Sequence, residues 1–167
     1  GGEVFFLSTH EGRIYDLYQA VGAQVRKLTE QTVLAYDLAP DGRALVFLSD
    51  EEGERRLYRL DLASGAVSPI AAEIANPIAV AWSPRGDRLA VAANLKGDAD
   101  LFLLAPDGRL LGVVANSSAD ETAPAWSPDG RQLVYVAPED GYDQLYLWDG
   151  VSTSRLTGGD EHHRHPV

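Results

Sequence analysis

The sequence predicts an all-β chain made from one repeated four-stranded unit, and three observations carry that prediction. First, a turn recurs: Pro40-Asp41-Gly42, Pro84-Arg85-Gly86 and Pro128-Asp129-Gly130 lie 44 residues apart. Second, an apolar and aromatic run keeps step with it, as Ile14-Tyr15-Asp16-Leu17, Leu57-Tyr58-Arg59-Leu60, Leu101-Phe102-Leu103-Leu104 and Leu145-Tyr146-Leu147-Trp148. Four copies are therefore present, over about 1–30, 31–73, 74–117 and 118–160, with 161–167 beginning the next or closing unit of a single domain. Third, no useful length of the chain shows the 3.6-residue apolar period of a helix, which removes helical solenoids.

The last copy shows the unit most clearly, with strands predicted at 122–127 (A), 132–137 (B), 144–149 (C) and 153–157 (D). Proline presets the backbone at the first corner of a turn, aspartate bonds locally and glycine accepts a positive φ, so Pro-Asp-Gly joins A to B as a hairpin. Strand B is apolar almost without alternation (Leu45 to Leu48, Leu89 to Ala92, Leu133 to Val136), which predicts burial on both faces by sheets stacked face to face. Strand D is polar, as an outer edge requires. Units of this length, stacked radially, make a β-propeller of four four-stranded antiparallel blades. The small residues Ala81 and Ala125 suit strand A near the axis, and Trp82 and Trp126 act as wedges between blades. Leu38 takes the Trp place in the second copy, and Asp37 takes the Ala place.

Composition restricts function before any motif is read. The 167 residues are 45% hydrophobic, enough for a core, and carry a formal charge of -11. Nucleic-acid affinity is built from Lys and Arg on phosphates, so nucleic acid is a poor partner, as is an anionic membrane. No apolar stretch reaches the ~20 residues of a membrane helix, and membrane insertion is not expected. There is no Cys, hence no disulfide and no thiolate zinc site. There is no Met either, even at position 1, which is expected of a processed or excised piece.

Leu156-Thr157, a loop, and then Pro-x-Trp-Ser-Pro-Asp-Gly over Pro124 to Gly130 resembles the repeat of TolB-type propellers. The same repeat is similar to those in the propellers of prolyl oligopeptidase-like and tricorn peptidases. The resemblance implies a non-catalytic scaffold for a protein or peptide, an envelope setting that is periplasmic or extracellular, and no cofactor. It also implies six or more blades, whereas four are present. A four-bladed ring, part of a larger propeller, and a homodimer completing an eight-bladed ring all stay open. So do two other functions: the accessory propeller of a prolyl oligopeptidase-like peptidase, and an excised or engineered fragment that self-assembles.

Loop placement supplies the functional expectation that comes from the residues themselves. The B-to-C and D-to-A loops share one end of the blades and hold most of the 25 acids, among them Asp50, Glu52, Asp98, Asp120, Glu121, Asp140, Asp160 and Glu161. The other end holds Arg43, Arg85, Arg88, Arg109 and Arg131. A polar molecule of this kind attracts a basic protein or peptide to its acidic end. Asp37, a carboxylate on an inner strand, is expected either to line the channel or to serve a hydrogen-bonded structural role. His163 and His165 point the same way if extended, beside Asp160 and Glu161, and imidazole with carboxylate suits Zn, Mn or Ni. No Gly-x-Ser-x-Gly elbow, phosphate-binding Gly-x-x-x-x-Gly-Lys or His-Glu-x-x-His is present, so no enzyme activity is expected of this chain alone.

Overall fold

The computed structural model describes residues 2–9, 15–51, 53–95, 97–164 and 166. Its strands, in chain order, form four antiparallel sheets. The first holds β1 (Glu3–Thr9), β2 (Tyr15–Val21) and β3 (Gln24–Lys27). The second runs β4 (Val33–Leu38), β5 (Ala44–Glu51), β6 (Glu54–Asp61), β7 (Val67–Ile70), and the third β8 (Pro77–Trp82), β9 (Leu89–Asn94), β10 (Ala99–Leu104), β11 (Leu110–Ala115). The fourth runs β12 (Thr122–Trp126), β13 (Leu133–Glu139), β14 (Tyr142–Trp148), β15 (Thr153–Arg155). The blade fold is as the sequence predicts, except that the first sheet has three strands among the described residues, in the B, C and D places.

Each Pro-x-Gly turn does what its residues dictate. The Gly42, Gly86 and Gly130 amides donate to the carbonyls of Ala39, Ser83 and Ser127, each at 2.8 Å, closing the A-to-B hairpins. A fourth such turn, Pro106-Asp107-Gly108, closes a C-to-D hairpin instead, with Gly108 donating to the Ala105 carbonyl. Inner strands also carry a feature that the turn spacing does not announce: β4, β8 and β12 each slip register near their start, between Val33 and Ala35, Pro77 and Ala79, and Thr122 and Ala125. At two of these bulges a non-glycine residue before proline sits in the left-handed region, Asn76 (φ 48°) and Ala123 (φ 49°).

The core is three apolar layers in series between neighbouring sheets, which is why strand B is apolar on both faces. Phe5, Leu7 and Leu17 of the first sheet meet Leu45, Phe47, Tyr58 and Leu60 of the second. The other face of the second, Val46, Leu48 and Leu57, meets Trp82, Leu89, Val91 and Phe102 of the third. Ala90, Ala92, Leu101 and Leu103 then meet Leu133, Tyr135, Trp126 and Trp148 of the fourth. On the leading face, strands B and C set an aromatic pair side by side: Phe6–Tyr18, Phe47–Tyr58 and Tyr135–Tyr146 stack at 5.4 to 5.6 Å between ring centres. The third sheet pairs Val91 with Phe102 there.

That pairing corrects one landmark. The sequence aligns Tyr15 with Tyr58, but the partner of Phe6 is Tyr18, so the first copy's counterpart of Leu57-Tyr58 is Leu17-Tyr18. Burial agrees with that pairing: Leu17 is wholly buried, while Tyr15, two residues before it on the same face, is half exposed.

Candidate binding face

Antiparallel pairing within every sheet places the B-to-C and D-to-A connections at one end, so the acidic loops gather there. Asp50 accepts from the Gly53 amide (2.9 Å) and lies 4.0 Å from Arg55. Asp98, Asp140, Asp160 and Glu161 are exposed, and Asp140 occupies a left-handed turn position at φ 55°. Glu52 and His165 lie outside the described residues. These carboxylates are spread over several loops of the end and make a field instead of a single pocket.

The exception is the loop 116–121, which leads into β12. Asp120 accepts from the Ala99 amide (2.8 Å), and the Glu121 amide donates to the Ala99 carbonyl (2.7 Å), tying the loop to the first residue of β10. Glu121 is only 2% exposed, and its Oε1 accepts from the Ser117 amide (3.0 Å) and hydroxyl (2.5 Å). Its Oε2 is buried with no hydrogen-bond partner among the described residues. Burial pushes this carboxyl above its ordinary value; the Ser117 bonds oppose that, and the negative charges of Asp100 and Asp120 add to it. Glu121 also lines a cleft of about 320 Å³ with Val114, Ser117, Tyr135, Tyr146 and Thr153, between the third and fourth sheets.

Asp37 is engaged on both oxygens. One accepts from the Leu38 amide (2.9 Å) and the other from the Trp82 amide of the next inner strand (2.6 Å). Burial raises its pKa against the lowering effect of those two bonds. One blade on, the same link is made differently: the Trp126 indole N–H donates to the Ala81 carbonyl at 3.2 Å. Trp82 and Trp126 thus both pack between sheets, and Arg88 from the opposite end lies over the Trp126 ring at 5.4 Å.

The terminal histidines are placed differently from the metal expectation. His162, rather than His163, faces a carboxylate, with Nδ1 3.2 Å from Asp143 Oδ2, and it lies against Tyr142. Arg164 also bonds Asp143, and the His163 amide donates to the Asp143 carbonyl. Among the described residues no three His, Cys, Asp or Glu side chains converge as a metal site. Beside them Gln144, wholly buried, donates to the carbonyls of Gly159 and Glu161 and accepts from Thr157, whose hydroxyl takes the Leu145 amide. Gln144 escapes a reading of the sequence, since it does not belong to the repeat, and Asp143 is legible there only as one more acid of that end. Thr157 does belong to it, and the Leu-Thr landmark is a signal that finds its bond.

Antiparallel blades stacked through apolar faces, with successive inner strands linked across the centre, define a β-propeller domain whose polar loops form its accessible ends. More particularly, the chain belongs to the TolB beta propeller domain family, whose model matches residues 16–167. No curated protein is similar enough to match. Among solved structures, TolB from Acinetobacter baumannii is 23% identical, with a TM-score of 0.75, over 89% of this chain and 38% of its own. The putative TolB from Agrobacterium tumefaciens is 17% identical, with a TM-score of 0.81, over 93% of this chain and 61% of its own. A prolyl endopeptidase structure is 16% identical, with a TM-score of 0.74, over 99% of this chain and 30% of its own. The chain thus spans less than two thirds of the length of each, and at these identities the likeness is one of fold.

Proposed function

We propose that the chain is a non-catalytic propeller platform whose acidic end engages a basic protein or peptide, in the envelope setting that its family suggests. One observation carries the reading: the loops of one end hold most of the acids, while at the other end Arg85 and Arg131 are offset by Asp87 and Asp129 in their own turns. Complementary fields of this kind steer a partner and fix its orientation. The test is fluorescence anisotropy of a labelled oligolysine peptide and a labelled oligoglutamate peptide across ionic strength. Oligolysine is expected to bind at low salt and weaken as the Debye length falls below ~10 Å at about 0.1 M. Equal binding of both peptides, or binding indifferent to salt, contradicts the proposal.

The likeness to a prolyl endopeptidase over nearly the whole chain favours a second reading, an accessory propeller that positions peptides for a hydrolase domain. Selection of peptides by length, irrespective of charge, supports that reading over the first.

A further inference from the structure

The acidic end explains attraction at a distance but does not explain Glu121. A carboxylate withdrawn from water is costly unless each oxygen is paired, and here only Oε1 is paired. Glu121 forms part of the wall of the cleft between the third and fourth sheets, and the rest of that wall is mixed in a particular way. Val114, Ala115, Ala137 and Pro138 are apolar, Tyr135 and Tyr146 stack on one another, and Ser117 and Thr153 bring hydroxyls. These polar groups are already engaged: the Tyr146 hydroxyl donates to Glu139 (2.7 Å), the Ser117 hydroxyl to Glu121, and the Thr153 hydroxyl bonds Tyr135. Glu121 Oε2, covered behind that wall, has no donor among the described residues.

We propose that this cleft receives a lysine side chain of a bound peptide, its methylenes on the apolar and aromatic wall and its ammonium paired with Glu121 Oε2 once a turn of that carboxylate uncovers it. The inference rests on the acidic-end reading and deepens it by naming the residue recognised. Four features select this ligand. A volume of about 320 Å³ holds an unbranched four-carbon chain, but not a folded segment of peptide. A single free oxygen suits the compact ammonium better than the fork of a guanidinium, which pairs best with both oxygens of a carboxylate. Asp100 and Asp120 lie near enough to act electrostatically on Glu121, so the site is negative beyond its own charge. Tyrosine faces beside a carboxylate attract a cation, and the effect grows where water is excluded.

The test uses the whole 167-residue chain and two small probes, Nα-acetyl-lysine methylamide and its Nε-acetylated form, followed by amide chemical-shift titration. The lysine probe is expected to perturb Ser117, Glu121, Tyr135 and Thr153 saturably. The Nε-acetylated probe, which has the same chain without the charge, is expected to bind at least ten-fold more weakly. Glu121→Gln keeps the shape and an acceptor for Ser117 and is expected to weaken the lysine probe about ten-fold. Asp107→Asn, in an exposed turn of the opposite end, is expected to change it less than two-fold. Thermal unfolding of Glu121→Gln shows whether a loss of binding merely reflects a loss of fold; in that case Glu121→Asp, which keeps the charge on a shorter arm, is expected to retain more affinity than Glu121→Gln. Equal binding of the two probes, or an unchanged affinity in a folded Glu121→Gln variant, overturns the assignment. The wider reading fails separately: if oligolysine does not bind at low salt while the small probe still titrates Glu121, the cleft stands and the acidic platform does not.

Discussion

Asp37 shows how one residue separates a structural role from a functional one. Both of its oxygens accept backbone amides, one from its own strand and one from Trp82 on the neighbouring inner strand. Asp37→Ala therefore leaves two amides without their partner, and urea unfolding is expected to show a loss of about 1 to 3 kcal/mol for a buried unpaired donor. Unchanged stability with lost peptide binding would return Asp37 to the ligand side. Two glycines make a second comparison. Gly42 (φ 68°) faces open space, so Gly42→Ala is expected to cost only the backbone term, about 1 to 2 kcal/mol. Gly108 (φ 90°) would set a Cβ 2.4 Å from the Ala71 amide nitrogen and 2.7 Å from Ile70 Cβ. Overpacking against backbone adds about 1 to 3 kcal/mol more, so the Gly108→Ala midpoint should lie clearly below that of Gly42→Ala. Equal midpoints would mean that the second and third blades are not in contact there.

At the scale of elements, the tail over 157–164 is held by side chains on β14 and should be pH-sensitive. Burial alone would raise the Asp143 carboxyl, but the Arg164 hydrogen bond and the charges of Arg164 and His162 outweigh it and hold it below its ordinary value of 3.8. A depressed acid contributes stability above its unfolded value, and that contribution is lost as the pH falls through the folded value. Acidification below pH 3.8 is thus expected to speed amide exchange over 159–164 before the sheets melt, and Asp143→Asn should do so at neutral pH. Release of the tail only with global unfolding would contradict this. The same scale shows what was legible. Turns, blade count and the doubly buried strand B could be read because proline, glycine and apolar runs act locally. The bulges in β4, β8 and β12 could not, because a slip of register shows only in how an inner strand pairs with its neighbour. The first copy's landmark was misplaced because Ile14-Tyr15 mimics Leu17-Tyr18, and only pairing with Phe6 separates them. The acidic loops were visible as a list of charges; that Glu121, alone among the described acids, is buried beside a cleft depended on the packing of two sheets.

For the whole molecule, the proposal is of a propeller with one acid-rich end that takes a basic peptide. Its family membership fixes the fold, and the fold gathers the acids by connecting strands B to C and D to A at the same end. Neutralising exposed members together, as in Asp98→Asn with Asp140→Asn and Asp160→Asn, is expected to lower oligolysine affinity several-fold and flatten its salt dependence with little change in stability, since lone surface charges contribute ~0 to 1 kcal/mol to folding. The most direct measurement is a map of amide shifts during titration with oligolysine at low ionic strength. The account predicts perturbations confined to the loops bearing Asp50, Asp98, Asp120, Glu121, Asp140 and Asp160, strongest around Glu121. Perturbations centred on the turns bearing Arg43, Arg85 and Arg131, or spread evenly over both ends, would contradict it.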